Sequence, residues 1–340
     1  MPVTPYAVYP TMNKVHLKTA IRFLVSFSLL GVLFFTLDVD DLLRGLRHAD
    51  LRWLGISLAF SIATLACSVW KWRLLIDAHG HRLSWRSLWG FYLLGQLANN
   101  FMPSNVGGDV VRVALASRKL GLSSWPAVAG SVLVERMTGL VGLFIALLAG
   151  VAVHLPWVER LGILLPVMGG ASAVAIACML IFSKSSNRIL AGMRAWPFME
   201  QPVNLLTRLH DACLTYSNQP RLLVQGVLIS VLFYVIAAVQ LSVLCRMFPG
   251  VDVSWSSQLV VFGIISLVAV LPISVNGFGV QESAHTLLLM SLGFFQYQAL
   301  IIALGLRFIL LAPAMAGALV FASSSMVRSA FQRSVPNGMA

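Results

Sequence analysis

Charged side chains are scarce in this chain. Only 11% of its 340 residues are Asp, Glu, Lys or Arg, while 58% are hydrophobic. A water-soluble domain of that length could not cover its surface with polar groups, whereas a bilayer removes the requirement. Acidic residues are scarcest, 12 against 24 Lys and Arg. The resulting charge of +12 lies in short clusters between apolar runs, which points to membrane orientation and away from nucleic acid. The four cysteines, Cys67, Cys178, Cys213 and Cys245, form no C-x-x-C pair, so neither a disulfide framework nor a zinc site follows. His79-x-His81 has no third ligand nearby, and no metal site is expected. There is no P-loop, nucleotide fingerprint, Ser/His/Asp constellation or extended soluble catalytic domain, and no cofactor is implied.

What remains is apolar and helical. A full span takes roughly 20 mostly apolar residues. Segments at 22–37, 53–70, 126–155, 161–182, 222–247 and 297–323 meet or approach that length. The first has the basic flank of a secretory signal (Lys14, Lys18, Arg22) but no small-residue cleavage site, and reads as a retained helix. Two further apolar stretches, Leu88 to Phe101 and Gln258 to Leu271, are too short to cross comfortably. Each ends at a proline followed by turn formers: Pro103-Ser-Asn105-Val-Gly107-Gly108-Asp109 and Pro272-Ile-Ser-Val-Asn276-Gly277-Phe-Gly279. Helix-length pieces follow at 110–120 and 280–292. The pattern reads as two re-entrant hairpins, with bends at Pro103, Gly107, Gly108, Pro272 and Gly277.

Under that topology most basic clusters fall on one face, including Lys71, Arg73, Arg82 and Arg86, and the positive-inside rule makes both termini cytoplasmic. The expected fold is an all-α integral membrane protein of about six full spans plus two re-entrant hairpins, forming a single membrane domain over 1–340. Both halves run helix, helix, hairpin, helix, giving inverted repeats at 22–155 and 161–323. Between them, 183–220 is a cytoplasmic connection. There Ile189, Leu190, Met193 and Trp196 recur at helical spacing, as in a helix on the membrane surface; an ordinary linker is an equal reading.

Ionisable residues inside the membrane are the candidate site. Glu135-Arg136 lies about ten residues, hence about 15 Å, into an apolar helix. A charge at that depth costs on the order of 3 kcal/mol, so such residues face the protein or an aqueous cavity. Gly139 and Gly142 share the Glu135 face and would admit a close neighbour. Arg307 occupies the corresponding place in the last helix. These residues either line a substrate path or form structural ion pairs. The half-helices starting at Gly107-Gly108 and Asn276-Gly277 offer unpaired N–H groups to an anion. Asp109 and Glu282 either cap those ends or gate by changing protonation. Asn99, Asn100, Ser104, Asn105, Ser274 and Asn276 either bond a polar head group or satisfy broken-helix backbone.

Two stretches carry a family signature. One is Asn99-Asn100-Phe-Met-Pro103-Ser-Asn-Val-Gly107-Gly108-Asp109-Val-Val-Arg112, continuing to Val134-Glu135-Arg136; the other is Pro272-Ile-Ser-Val-Asn276-Gly277-Phe-Gly279-Val-Gln-Glu282. Together they resemble the lysylphosphatidylglycerol synthase transmembrane-domain (flippase-like) family over about 20–325. The resemblance implies a membrane fold that handles lipids, with Asp109, Arg112, Glu135, Arg136 and Glu282 at motif positions. Gln281 departs from it, since many members carry arginine there. The aminoacyl-transfer domain of the full synthase is not expected, and its activity is not carried over.

The combined reading is a lipid flippase or translocase of the bacterial cytoplasmic (inner) membrane. It would move an anionic phospholipid or lipid-linked intermediate, with Arg136, Arg307, Glu135, Asp109, Arg112, Glu282, Asn105 and Asn276 as substrate-binding residues. Two other classes compete: a membrane-embedded glycosyltransferase or lipid-modifying enzyme, and a scaffold for lipid-biosynthesis enzymes. The transporter-like reading is preferred over an enzyme.

Overall fold

The computed structural model describes residues 24–26, 28–29, 31–32, 35, 39–101, 107–183, 200–270 and 274–323. The chain is an all-α membrane protein. After α1 (Val39–His48), the first half runs α2 (Arg52–Asp77), α3 (Trp85–Phe101), α4 (Gly107–Leu120) and α5 (Trp125–Val153). Among the described residues α6 (Leu155–Arg160), α7 (Leu164–Phe182) and α8 (Glu200–Ser217) come next. The second half runs α9 (Pro220–Cys245), α10 (Trp255–Val270), α11 (Val280–Ser291) and α12 (Gln296–Ser323). Helix lengths of 26, 17, 14 and 29 residues in the first half are followed by 26, 16, 12 and 28 in the second.

Among the described residues, α2, α5, α7, α9 and α12 are long and apolar enough to cross a membrane. The expected 22–37 span is described only in part. Pro103, Ser104, Asn105, Pro272 and the stretch from Ile189 to Trp196 lie outside the described residues. Two expected bounds need correction. The 161–182 span begins at Leu164, because Gly162 takes a positive φ of 66° after the short α6. The 53–70 span runs on to Asp77, so Lys71 is not an interfacial charge but a buried residue inside α2. Nothing breaks the helix until Gly80 (φ 74°), and the ammonium finds partners within the fold.

Each half has its own apolar core. Val69, Trp72, Leu88, Phe91, Ala116 and Val132 join α2, α3, α4 and α5. Leu241, Val261, Leu289, Ile302 and Leu306 join α9, α10, α11 and α12. The halves also cross: α12 packs along α3, α5 along α10, and α2 along α9. In lipid, helix association depends on close approach of small residues more than on apolar burial. Accordingly a Cβ added at Gly142 would stand 2.5 Å from that of Ser230, bringing α5 onto α9, and Gly108 leaves no room for a side chain against the Gly95 carbonyl. Gly142 thus admits the close neighbour that its spacing from Glu135 implied.

Candidate functional site

The first charge cluster is built on α4 and α5. Asp109 lies two residues after Gly107 and Arg112 one turn later, so both project from the same face. Arg112 donates from Nη2 to Asp109 Oδ1 at 2.6 Å and from Nη1 to Glu135 Oε2 at 3.0 Å. Arg136 clasps the other Asp109 oxygen, with Nε at 2.8 Å and Nη2 at 2.7 Å. Tyr92 of α3 donates to Glu135 Oε1 at 2.8 Å, and the Arg112 guanidinium lies over the Tyr92 and Trp72 rings at 4.3 and 5.0 Å. Lys71 closes the cluster, donating to the Glu135 carbonyl at 3.2 Å and to Ser230 Oγ of α9 at 2.9 Å.

Charge and exposure are uneven here. Arg112 and Arg136 meet the two carboxylates, and Lys71 adds a third cation bonded to a backbone carbonyl and a hydroxyl. Arg112 and Glu135 are almost fully enclosed, whereas the Arg136 side chain is 51% exposed. One cation is therefore in excess, and the exposed one is Arg136.

The second cluster is built on α11 and α12. Arg307 pairs through Nε with Glu282 Oε1 and donates from Nη1 to the Asn276 carbonyl at 3.3 Å, its guanidinium over the Phe278 ring at 4.5 Å. Glu282 Oε2 accepts the Gly279 N–H at 2.8 Å, closing the α11 N-terminus from the third position of the helix. The bend needs left-handed backbone at Asn276 (φ 49°), Gly277 (φ 72°) and Gly279 (φ 79°), which asparagine and glycine supply most readily. Gln281 folds over Gly277.

The two clusters share a register. Arg136 and Arg307 each lie eleven residues into their helices, counted from Trp125 and Gln296; Asp109 and Glu282 each lie two residues after Gly107 and Val280. Each pair ties the helix after a bend to the long helix beyond it. Adjacent asparagines at the end of α3 serve both clusters. Asn99 Oδ1 accepts the Gly108 N–H at 2.7 Å, and Asn100 Oδ1 accepts from Asn276 Nδ2 at 3.0 Å.

The two readings of the carboxylates therefore separate. Glu282 caps its own helix. Asp109 makes its bonds to Arg112 and Arg136, while α4 is capped by Asn99. Asp109, Arg112, Glu135 and Arg136 come together, as do Glu282, Arg307 and Asn276. Lys71, Tyr92, Ser230 and His285 carry no local motif that would have singled them out.

The model of the lysylphosphatidylglycerol synthase TM region matches residues 19–317. The chain belongs to that family. No curated protein matches it. Membership in the lysylphosphatidylglycerol synthase TM-region family makes this a membrane protein of lipid metabolism or transport. Both stretches on which the resemblance was read lie within the matched residues and supply members of the two clusters.

Proposed function

We propose that this chain translocates a lipid with an anionic phosphate head group across the cytoplasmic membrane, by alternating exposure of two halves related as inverted repeats. The observation that carries the reading is the half-exposed Arg136 beside a buried cluster with one cation in excess. A cation in a membrane interior is costly unless neutralised, and a phosphate accepting from a guanidinium does so with directional, charge-assisted bonds. The matched Arg–carboxylate pairs and the meeting of the bends at Asn100 and Asn276 support the two-fold plan, because broken helices meeting between inverted repeats form the substrate site of many transporters. In this reading α3–α4 and α10–α11 are the re-entrant hairpins, and the basic clusters set both termini on the cytoplasmic side.

The test is transbilayer movement of a fluorescent phosphatidylglycerol in proteoliposomes. Arg136→Ala and Arg307→Ala are each expected to slow it about tenfold or more, equivalent to at least about 1.4 kcal/mol in the barrier. Wild-type rates in both variants, with folding verified by gel filtration, would remove the assignment.

A further inference from the structure

His285 stands in α11 where Arg112 stands in α4: each lies five residues into its helix, three after Glu282 or Asp109. Arg112 is a permanent cation bridging two carboxylates. The second half has Leu306 in the register of Glu135, ten residues into the long helix, so that register offers His285 no second carboxylate. A neutral ring suits that setting.

Its protonation form follows from its bonds. His285 Nδ1 lies 2.9 Å from the Gln281 carbonyl. A carbonyl only accepts, so Nδ1 carries the hydrogen and the neutral ring leaves a bare lone pair on Nε2. His285 is only 4% exposed, and among the described residues Nε2 has no partner. Arg307 Nη2, a donor, is likewise buried without one. Nε2 and Nη2 are thus a buried acceptor and a buried donor without partners among the described residues, and a buried polar atom in that state costs on the order of 1–3 kcal/mol.

The surroundings limit what else could titrate. Within α11 the ionisable residues are Glu282 and His285. Of the helices packed against it, α10 has none, and α12 has Arg307 and, ten residues before it, Tyr297. Residues Ser26 and Leu29, which lie against Gly279, are uncharged, and α6, with Glu159 and Arg160, touches the far end at Ser291.

We propose that His285 is the proton-binding site of the transport cycle, a titratable counterpart of Arg112. The transfer is complete as written: a hydronium ion that reaches the ring forms the Nε2–H bond and leaves water, and the same proton is later given up to water. Protonation takes the Glu282–Arg307–His285 group from neutral to +1. The imidazolium then competes with Arg307 for Glu282, as Arg112 and Arg136 share Asp109, and weakens the tie of α11 to α12. Resting on the anionic-lipid reading above, the added charge also balances a singly charged head group, so lipid and proton cross together without net charge.

The experiment has two arms on the full-length protein. In detergent micelles, histidine imidazole NMR resonances are followed between about pH 5 and 8, the range in which histidines change charge, and the His285 signal is assigned by its loss in His285→Gln or His285→Asn. Titration of that signal supports the proposal; a signal with no titration overturns it. In phosphatidylcholine vesicles carrying labelled phosphatidylglycerol, the wild-type rate is expected to change with pH, approaching tenfold per unit for one obligatory proton. The profile is expected to flatten in His285→Gln and in His285→Arg, which fixes the charge. A wild-type pH profile retained in both variants overturns the proposal. Titration at His285 in a protein that moves no lipid would keep the proton site and remove the lipid reading.

Discussion

Glu135 shows how one carboxylate organises a membrane interior. It accepts from Arg112 and Tyr92 through its side chain and from Lys71 through its backbone carbonyl, drawing α2, α3, α4 and α5 to one point. Breaking a buried ion pair on one side leaves the other charge uncompensated, at about 3–5 kcal/mol. Glu135→Gln is therefore expected to destabilise by roughly that amount, read by denaturant unfolding in mixed micelles. Tyr92→Phe, which removes one bond to a charged acceptor, should cost about 1.5–3 kcal/mol. A double-mutant cycle should show the two effects coupled, since both act on the same oxygens.

At the scale of elements, the junction of α2 with α8 is held by polar contacts at the end of the apolar region. Tyr216 donates to the Leu75 carbonyl at 2.7 Å, and its ring meets His79 edge-on at a centroid distance of 5.1 Å. Burial, with a smaller contribution from His81, pushes the His79 pKa below its ordinary value. The unfolded chain therefore takes up the proton more readily. The junction's contribution is full above the ordinary histidine pKa and is lost as pH falls below it. Amide protection factors at 75–80 should fall with acidification, and Tyr216→Phe should weaken the junction by about 1 kcal/mol. The spans were largely legible in the sequence, because hydropathy marks them and Pro, Gly and Asn mark the breaks, whereas the end of α2 at Asp77 and the helix α8 inside the expected 183–220 connection were not. Arg136, Arg307 and the carboxylates were legible too, since an isolated charge in an apolar run is conspicuous. Lys71 was misplaced because it ends an apolar window at a basic cluster, and its partners Glu135 and Ser230, 64 and 159 residues away in the chain, reveal it as internal. His285 escaped notice because its meaning lies in its register with Arg112, which needs both helix starts fixed.

For the molecule as a whole, the contact between Asn100 and Asn276 is where, among the described residues, a hydrogen bond joins the two bends. If the halves rock, this contact must break or slide. Asn100→Cys with Asn276→Cys, in a background lacking the four native cysteines, is expected to arrest lipid movement when cross-linked and to restore it on reduction. Unchanged movement with the cross-link in place would show that the bends travel as one body.

The crossed packing has a mechanical corollary. Because α12 rests on α3 and α5 on α10, neither half can be drawn away without undoing the other, like two clasped hands. The peptide link between α7 and α8 would then be dispensable for assembly. Fragments divided between residues 183 and 200 and expressed together are expected to purify as one complex, its union owed to interlocking and not to the continuity of the chain.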